Sequence, residues 1–145
     1  MDDRKRCVLV VANRTAESEE LLRALRERAA EGPCSFKLVV PATPHGVAWA
    51  GDMHSGAAEA QGHLDRALDR MRDAGLDVVC GMGDPDPVAA VEDAVNFGDF
   101  DEVIVSTLPR HVSKWLKLDL PHRVARVTGL PVRHVEASES RVPVA

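Results

Sequence analysis

Cys7-Val-Leu-Val-Val-Ala12 is apolar at every position, so neither side of an extended chain here is suited to water. That is the pattern of a parallel strand covered by helices on both faces, because strands half open to solvent alternate apolar with polar residues. A chain that opens on such a strand must supply crossover helices and further strands to bury it.

The residues that follow supply them in turn. Asn13-Arg14-Thr15 turns the chain, with Thr15 as the expected helix cap and Glu17, Glu19 and Glu20 placed to favour a helix N-terminus. Leu21, Leu22, Leu25 and Ala29 recur at helical spacing, Arg23, Arg26 and Arg28 complement the C-terminal end of the dipole, and Gly32-Pro33 stops the helix. Phe36 to Val40 is the expected second strand. Pro41 to Ser55 carries Pro41, Pro44, Gly46, Trp49 and Gly51 without a period and reads as a long loop, a kind that is commonly functional. A second helix is expected from Gly56 to Ala74, burying Ala60, Leu64, Ala67, Leu68 and Met71, with Gly75 past its end.

Asp77 to Gly81 is the third strand. In Gly83-Asp-Pro-Asp-Pro87, Asp86 can cap and Pro87 suits the first helical position, ahead of a face of Val88, Val91 and Val95 that Gly98 ends. Glu102 to Ser106 is the fourth strand. After a basic, polar and aromatic loop, Asp119 is expected to cap a last helix carrying Leu120, Val124 and Val127, ended by Gly129. Leu130 to Val135 is the fifth strand, with Pro131 confining that end to a strand start or an edge. The strict alternation predicts an α/β, Rossmann-like fold: a single doubly wound, five-stranded parallel sheet with two helices on each face, for which 3-2-1-4-5 is the strand order expected of the class. One domain over residues 1–135 and a mobile tail over 136–145 complete the expectation for a chain of 145 residues.

Charge is distributed unevenly. Between Arg110 and His134 six basic residues face the single acid Asp119, in a chain whose net charge is -5, so the remainder is strongly acidic. A basic segment on an acidic body points to a local anion site; a nucleic-acid coat needs a wider basic surface. No run of 18 apolar residues is present, and the first residues lack a secretory pattern, so a cytoplasmic address without membrane contact is expected. Three cysteines without a Cys-x-x-Cys pair indicate neither a disulfide framework nor a zinc motif. His45, Asp52 and His54 are spaced too irregularly to favour a metal site. A P-loop, Gly-x-Gly-x-x-Gly and Gly-x-Ser-x-Gly are absent, which argues against the corresponding nucleotide and hydrolase chemistries.

The apolar first strand, the long loop after the second, the Gly83-Asp84-Pro85 turn, the strand Asp101-Glu-Val-Ile-Val-Ser106 and the closing Leu130-Pro-Val-Arg-His-Val135 occur in an order and spacing that resembles the universal stress protein family. The resemblance implies an adenine nucleotide, ATP or AMP, at the ends of the first and fourth strands, and a homodimer through the last strand, Val132 to Val135. It places a ligand among Ala12, Asn13, Thr15, Val39, Val40, Gly83, Asp84, Ser106, Thr107 and Asp119. The family's Gly-x-x-Gly and Gly-Ser phosphate loop is not present: no glycine lies between Gly98 and Gly129, and Leu118-Asp119 stands where the Gly-Ser would be. Arg110, His111, Ser113 and Lys114 offer side-chain donors in place of backbone amides. Two readings follow: a binding or regulatory module for an adenine nucleotide or another phosphorylated small molecule, and a ligand-free interaction protein of the stress response acting through its dimer surface and basic loop. No residue set for catalysis stands out, leaving slow nucleotide hydrolysis as the most that an enzymatic reading could claim.

Overall fold

Arg6–Val11 forms the central strand β1, as its two-sided apolar character requires. A computed structural model describes residues 5–12, 14–41, 62, 64–83, 86–109, 116 and 119–137. After β1 come a short 3-10 turn (Arg14–Glu17), α1 (Glu19–Glu31), β2 (Cys34–Pro41), α2 (residues 64–73), β3 (Val78–Gly83), α3 (Pro87–Phe97), β4 (Glu102–Thr107), α4 (Leu120–Thr128) and β5 (Val132–Glu136). The strands form one parallel sheet in the order β3-β2-β1-β4-β5, with Val8 in register with Phe36 and Val10 with Ile104. This is the expected order.

The side chains of β1 divide between two cores. Val8 and Val10 pack with Leu21 and Leu25 of α1 and with Leu64, Leu68 and Met71 of α2. Leu9 and Val11 pack with Val88 and Val91 of α3 and with Leu120 and Val124 of α4. Right-handed crossovers dictate that division, since α1 and α2 carry the chain one way along the sheet and α3 and α4 carry it back. Each Val or Leu buried in this way contributes roughly 1.5–3 kcal/mol, which makes β1 the energetic centre as well as the geometric one.

Local signals set the helix ends and buried faces, with three corrections. Ser18, not Thr15, caps α1: its Oγ accepts the Leu21 N–H at 3.1 Å, while Thr15 lies in the 3-10 turn. Asp86 and Pro87 start α3 as expected, with Asp86 Oδ1 accepting the Val88 N–H at 3.0 Å. At α4 the expected cap fails, for Asp119 makes no side-chain cap bond. Val127 also leaves the expected buried stripe, being 46% exposed. The nine-residue α4 buries Leu120 and Val124, four apart, and its next inward position is Thr128, whose hydroxyl donates to the Val124 carbonyl at 2.7 Å. Past α2, Gly75 at φ +85° lets Leu76 N–H close back onto the Met71 carbonyl at 3.1 Å, a left-handed helix exit that a side chain would strain.

Arg28 departs most from expectation. Read from sequence as one of three arginines that complement the C-terminal end of the α1 dipole, it is only 8% exposed. Its Nε donates to Glu102 Oε1 at 2.7 Å, tying the end of α1 to the first residue of β4, and Glu31 lies within 3.8 Å. The bond to Glu102 outweighs the loss of hydration and raises the guanidinium pKa above its ordinary value.

Cys34 is buried beside this group, and that burial pushes its thiol pKa up despite the opposing field of Arg28. A buried protonated thiol is a poor nucleophile. A thiol reagent is therefore expected to count one sulfhydryl fewer in denatured Cys34→Ser than in denatured wild type, and the same number in the two native proteins. A lower native count for Cys34→Ser would show that Cys34 is accessible. Because the folded thiol holds its proton longer than the unfolded one, its contribution to stability is complete below the ordinary thiol pKa, about 8.5, and fades as pH rises through the folded value.

Candidate functional site

Strand order reverses between β1 and β4: from β1 the chain crosses to β2 on one side, and from β4 to β5 on the other. The diverging crossovers open a crevice above the carboxyl ends of these two strands, the place where open α/β sheets hold ligands. Apart from backbone groups, the described residues bring hydroxyls there.

Ser106, near the end of β4, donates from Oγ to Thr15 Oγ1 at 2.6 Å, and both residues are buried. The bond joins the turn after β1 to the end of β4 across the switch point. Each hydroxyl can donate once and accept twice, so one bond leaves the pair with further capacity. Thr107, the next residue, points to the opposite face, where its Oγ1 lies 2.7 Å from His134 Nε2 of β5. Its carbonyl accepts the Ala137 N–H at 2.9 Å, closing the end of β5 onto β4.

The other expected site residues divide into three groups. Ala12, Val39 and Val40 are buried within the two cores, with the Ala12 N–H donated to the Val39 carbonyl at 3.2 Å. Gly83 ends β3 in register with Pro41, two strands from β1. Asn13, Asp84, Arg110, His111, Ser113 and Lys114 lie outside the described residues, as do His45, Asp52 and His54. Among the described residues no group of three His, Cys, Asp or Glu could hold a metal ion, and no helix is long and apolar enough to cross a membrane.

Asp119 precedes α4 at φ 55°, ψ 44°, the one non-glycine among the described residues with positive φ. Its carboxylate turns away from the helix amides towards His122 Nδ1 at 3.3 Å, an exposed and correspondingly weak contact. The first turn of α4 thus lacks a side-chain cap, and such a turn presents amide donors and a positive dipole end to an anion. The Asp119 charge opposes that tendency.

Sequence reasoning named Thr15, Ser106 and Thr107 as candidates, without the bond of Thr15 to Ser106 or of Thr107 to His134. Register explains the contact: Val105 pairs with His134 and Thr107 with Glu136, so His134 lies two residues before the partner of Thr107 and on the same face of the sheet.

No protein-family model matches the chain, and no curated protein matches it. Solved structures do. A universal stress protein from Archaeoglobus fulgidus superposes with a TM-score of 0.63 at 16% identity, over 90% of this chain and 93% of that one. A universal stress protein in complex with cAMP gives 0.60 at 21% identity, over 92% and 98%. The Archaeoglobus fulgidus universal stress protein in complex with dAMP gives 0.57 at 17% identity, over 92% and 99%. The chain has the universal stress protein fold along most of its length.

Proposed function

We propose that this protein is a universal stress-type binding or regulatory module that holds an adenine nucleotide, or another phosphorylated small molecule, above the carboxyl ends of β1 and β4. The observation that carries the reading is the buried Thr15–Ser106 hydroxyl pair at the switch point. It supplies polar capacity at the one place in this fold where a ligand is expected. Two proteins of the same fold, solved with cAMP and with dAMP, supply the ligand class. AMP-type nucleotides rank ahead of ATP on that ground. Arg110, His111, Ser113 and Lys114 are the proposed hydrogen-bond donors to the phosphate, since the segment that holds them lacks the glycines through which backbone amides approach a phosphate. A cytoplasmic setting and a homodimer through Val132 to Val135 belong to the same proposal; β5 is an edge strand with Arg133, His134 and Glu136 exposed.

The second reading, a ligand-free interaction protein of the stress response, draws on Asp119, whose carboxylate stands at the helix end that a phosphate would use.

Thermal unfolding with AMP, cAMP, ATP and inorganic phosphate, each with and without magnesium, separates the two. A nucleotide at about 100 times its dissociation constant stabilises the fold by about 2.7 kcal/mol, or roughly 5–10 °C in Tm for a domain of this size. Thr15→Val, which removes one hydroxyl at nearly constant volume, is expected to shrink that shift. An unchanged Tm with every nucleotide would favour the interaction protein.

A further inference from the structure

The outward faces of α3 and α4 match in register and are opposite in charge. Glu92, Asp93, Asn96 and Phe97 are exposed on α3; thirty residues on, His122, Arg123, Arg126 and Val127 are exposed on α4. The buried anchors Ala94 and Val124 occupy equivalent places between them. α3 contains no basic residue and α4 no acidic one. Both helices run from the carboxyl ends of the strands towards the opposite edge of the sheet, and the strands that follow begin level with each other, Val103 pairing with Val132. Asp93 is therefore level with Arg123, and Phe97 with Val127.

Among the described residues these groups are not used. None of Glu92, Asp93, Arg123 and Arg126 forms an ion pair among the described residues, although α3 and α4 are neighbours. Phe97 is 89% exposed and Val127 46%. A single exposed apolar residue is ordinary. An aromatic anchor and an aliphatic one at the same level, each below an unpaired charge of opposite sign, form a self-complementary pattern.

We propose that this face is an interface between two copies of the chain, related by a two-fold axis parallel to the helices. Such an axis lays α3 of each copy over α4 of the other at the same height, so that Phe97 meets Val127 and Asp93 meets Arg123 twice, as an isologous contact requires. The interface is distinct from the β5 edge and shares no residue with it. Helices of 11 and 9 residues are about 16 and 13 Å long at about 1.5 Å per residue. Side by side, each about 10 Å across, they present roughly 300 Å², below the roughly 800 Å² per partner of a standard interface. Association is accordingly weak and depends on charge, weakening as salt shortens the Debye length.

Sedimentation of the full chain over a wide concentration range tests this. Asp93→Arg alone and Arg123→Asp alone are each expected to weaken a salt-sensitive association step about tenfold or more, the effect of about 1.4 kcal/mol. The double variant, which exchanges the charges, is expected to restore it to within about threefold of wild type, and Phe97→Ser to abolish it. An association through β5 would survive all four changes and so cannot be mistaken for this one. The proposal is overturned if no association step responds to the single variants, or if the charge exchange fails to restore it.

Discussion

Arg28→Ala is expected to cost about 3 kcal/mol, at the lower end of the 3–5 kcal/mol typical when one partner of a buried ion pair is removed. The lower end applies because Arg28 and Glu102 keep 10% and 21% of their side-chain surface in contact with water. Three losses combine: the charged bond to Glu102, the packing of the guanidinium stem, and compensation for a carboxylate that remains at the start of β4. Glu102 would then stand beside Cys34 and Glu31 without its main cation. For a domain of this size the expected fall in Tm is roughly 6–12 °C, and the urea midpoint should move with little change in slope. Arg28→Met separates the causes by retaining an apolar stem, and Arg28→Met with Glu102→Gln should recover part of the loss by removing the orphaned charge. A loss below about 1 kcal/mol would place the pair with ordinary surface ion pairs and refute a role in holding α1 to β4.

Arg28 also shows where sequence reading stops. The order of elements followed from apolar runs and breakers, because a buried strand and a helix stripe are written in consecutive residues; the strand order came only as the expectation for this fold class. Whether an arginine at the end of a helix faces water or a carboxylate 74 positions on depends on a tertiary contact that no local period records. The same holds for Thr15. A hydroxyl after a turn is the usual sign of a helix cap, yet Ser18 caps α1 and Thr15 bonds to Ser106, 91 positions away. Val127 failed for a different reason. Its spacing from Leu120 and Val124 suits the buried stripe, but a nine-residue helix seated on an edge strand covers only two of the three.

The candidate site was legible as a place more than as a set of contacts. The fold rule puts a ligand above β1 and β4, and the Thr15–Ser106 pair lies there, whereas Thr107 turns to the opposite face and Ala12, Val39 and Val40 are buried in the cores. Side chains along a buried strand alternate between faces, so a run of neighbours cannot all turn towards one ligand.

Asp119 offers the sharpest test of the nucleotide reading. An L-residue in the left-handed region costs about 1–2 kcal/mol, somewhat less for Asp, and Asp119 at φ 55°, ψ 44° receives no cap bond in return. Asp119→Gly removes the strain and the charge together; Asp119→Asn removes the charge and keeps a residue that tolerates this conformation; Asp119→Ala removes the charge and worsens the strain. Stability should therefore rise slightly for Gly, stay nearly level for Asn and fall by about 1 kcal/mol for Ala. Affinity should follow charge instead. A carboxylate about 6 Å from a phosphate in a partly screened site opposes it by about 1–2 kcal/mol, so all three variants should bind AMP roughly 5–30-fold more tightly, by calorimetry. If stability follows the strain series while AMP affinity is the same in all four proteins, no phosphate lies at the start of α4, and the ligand's place there must be given up.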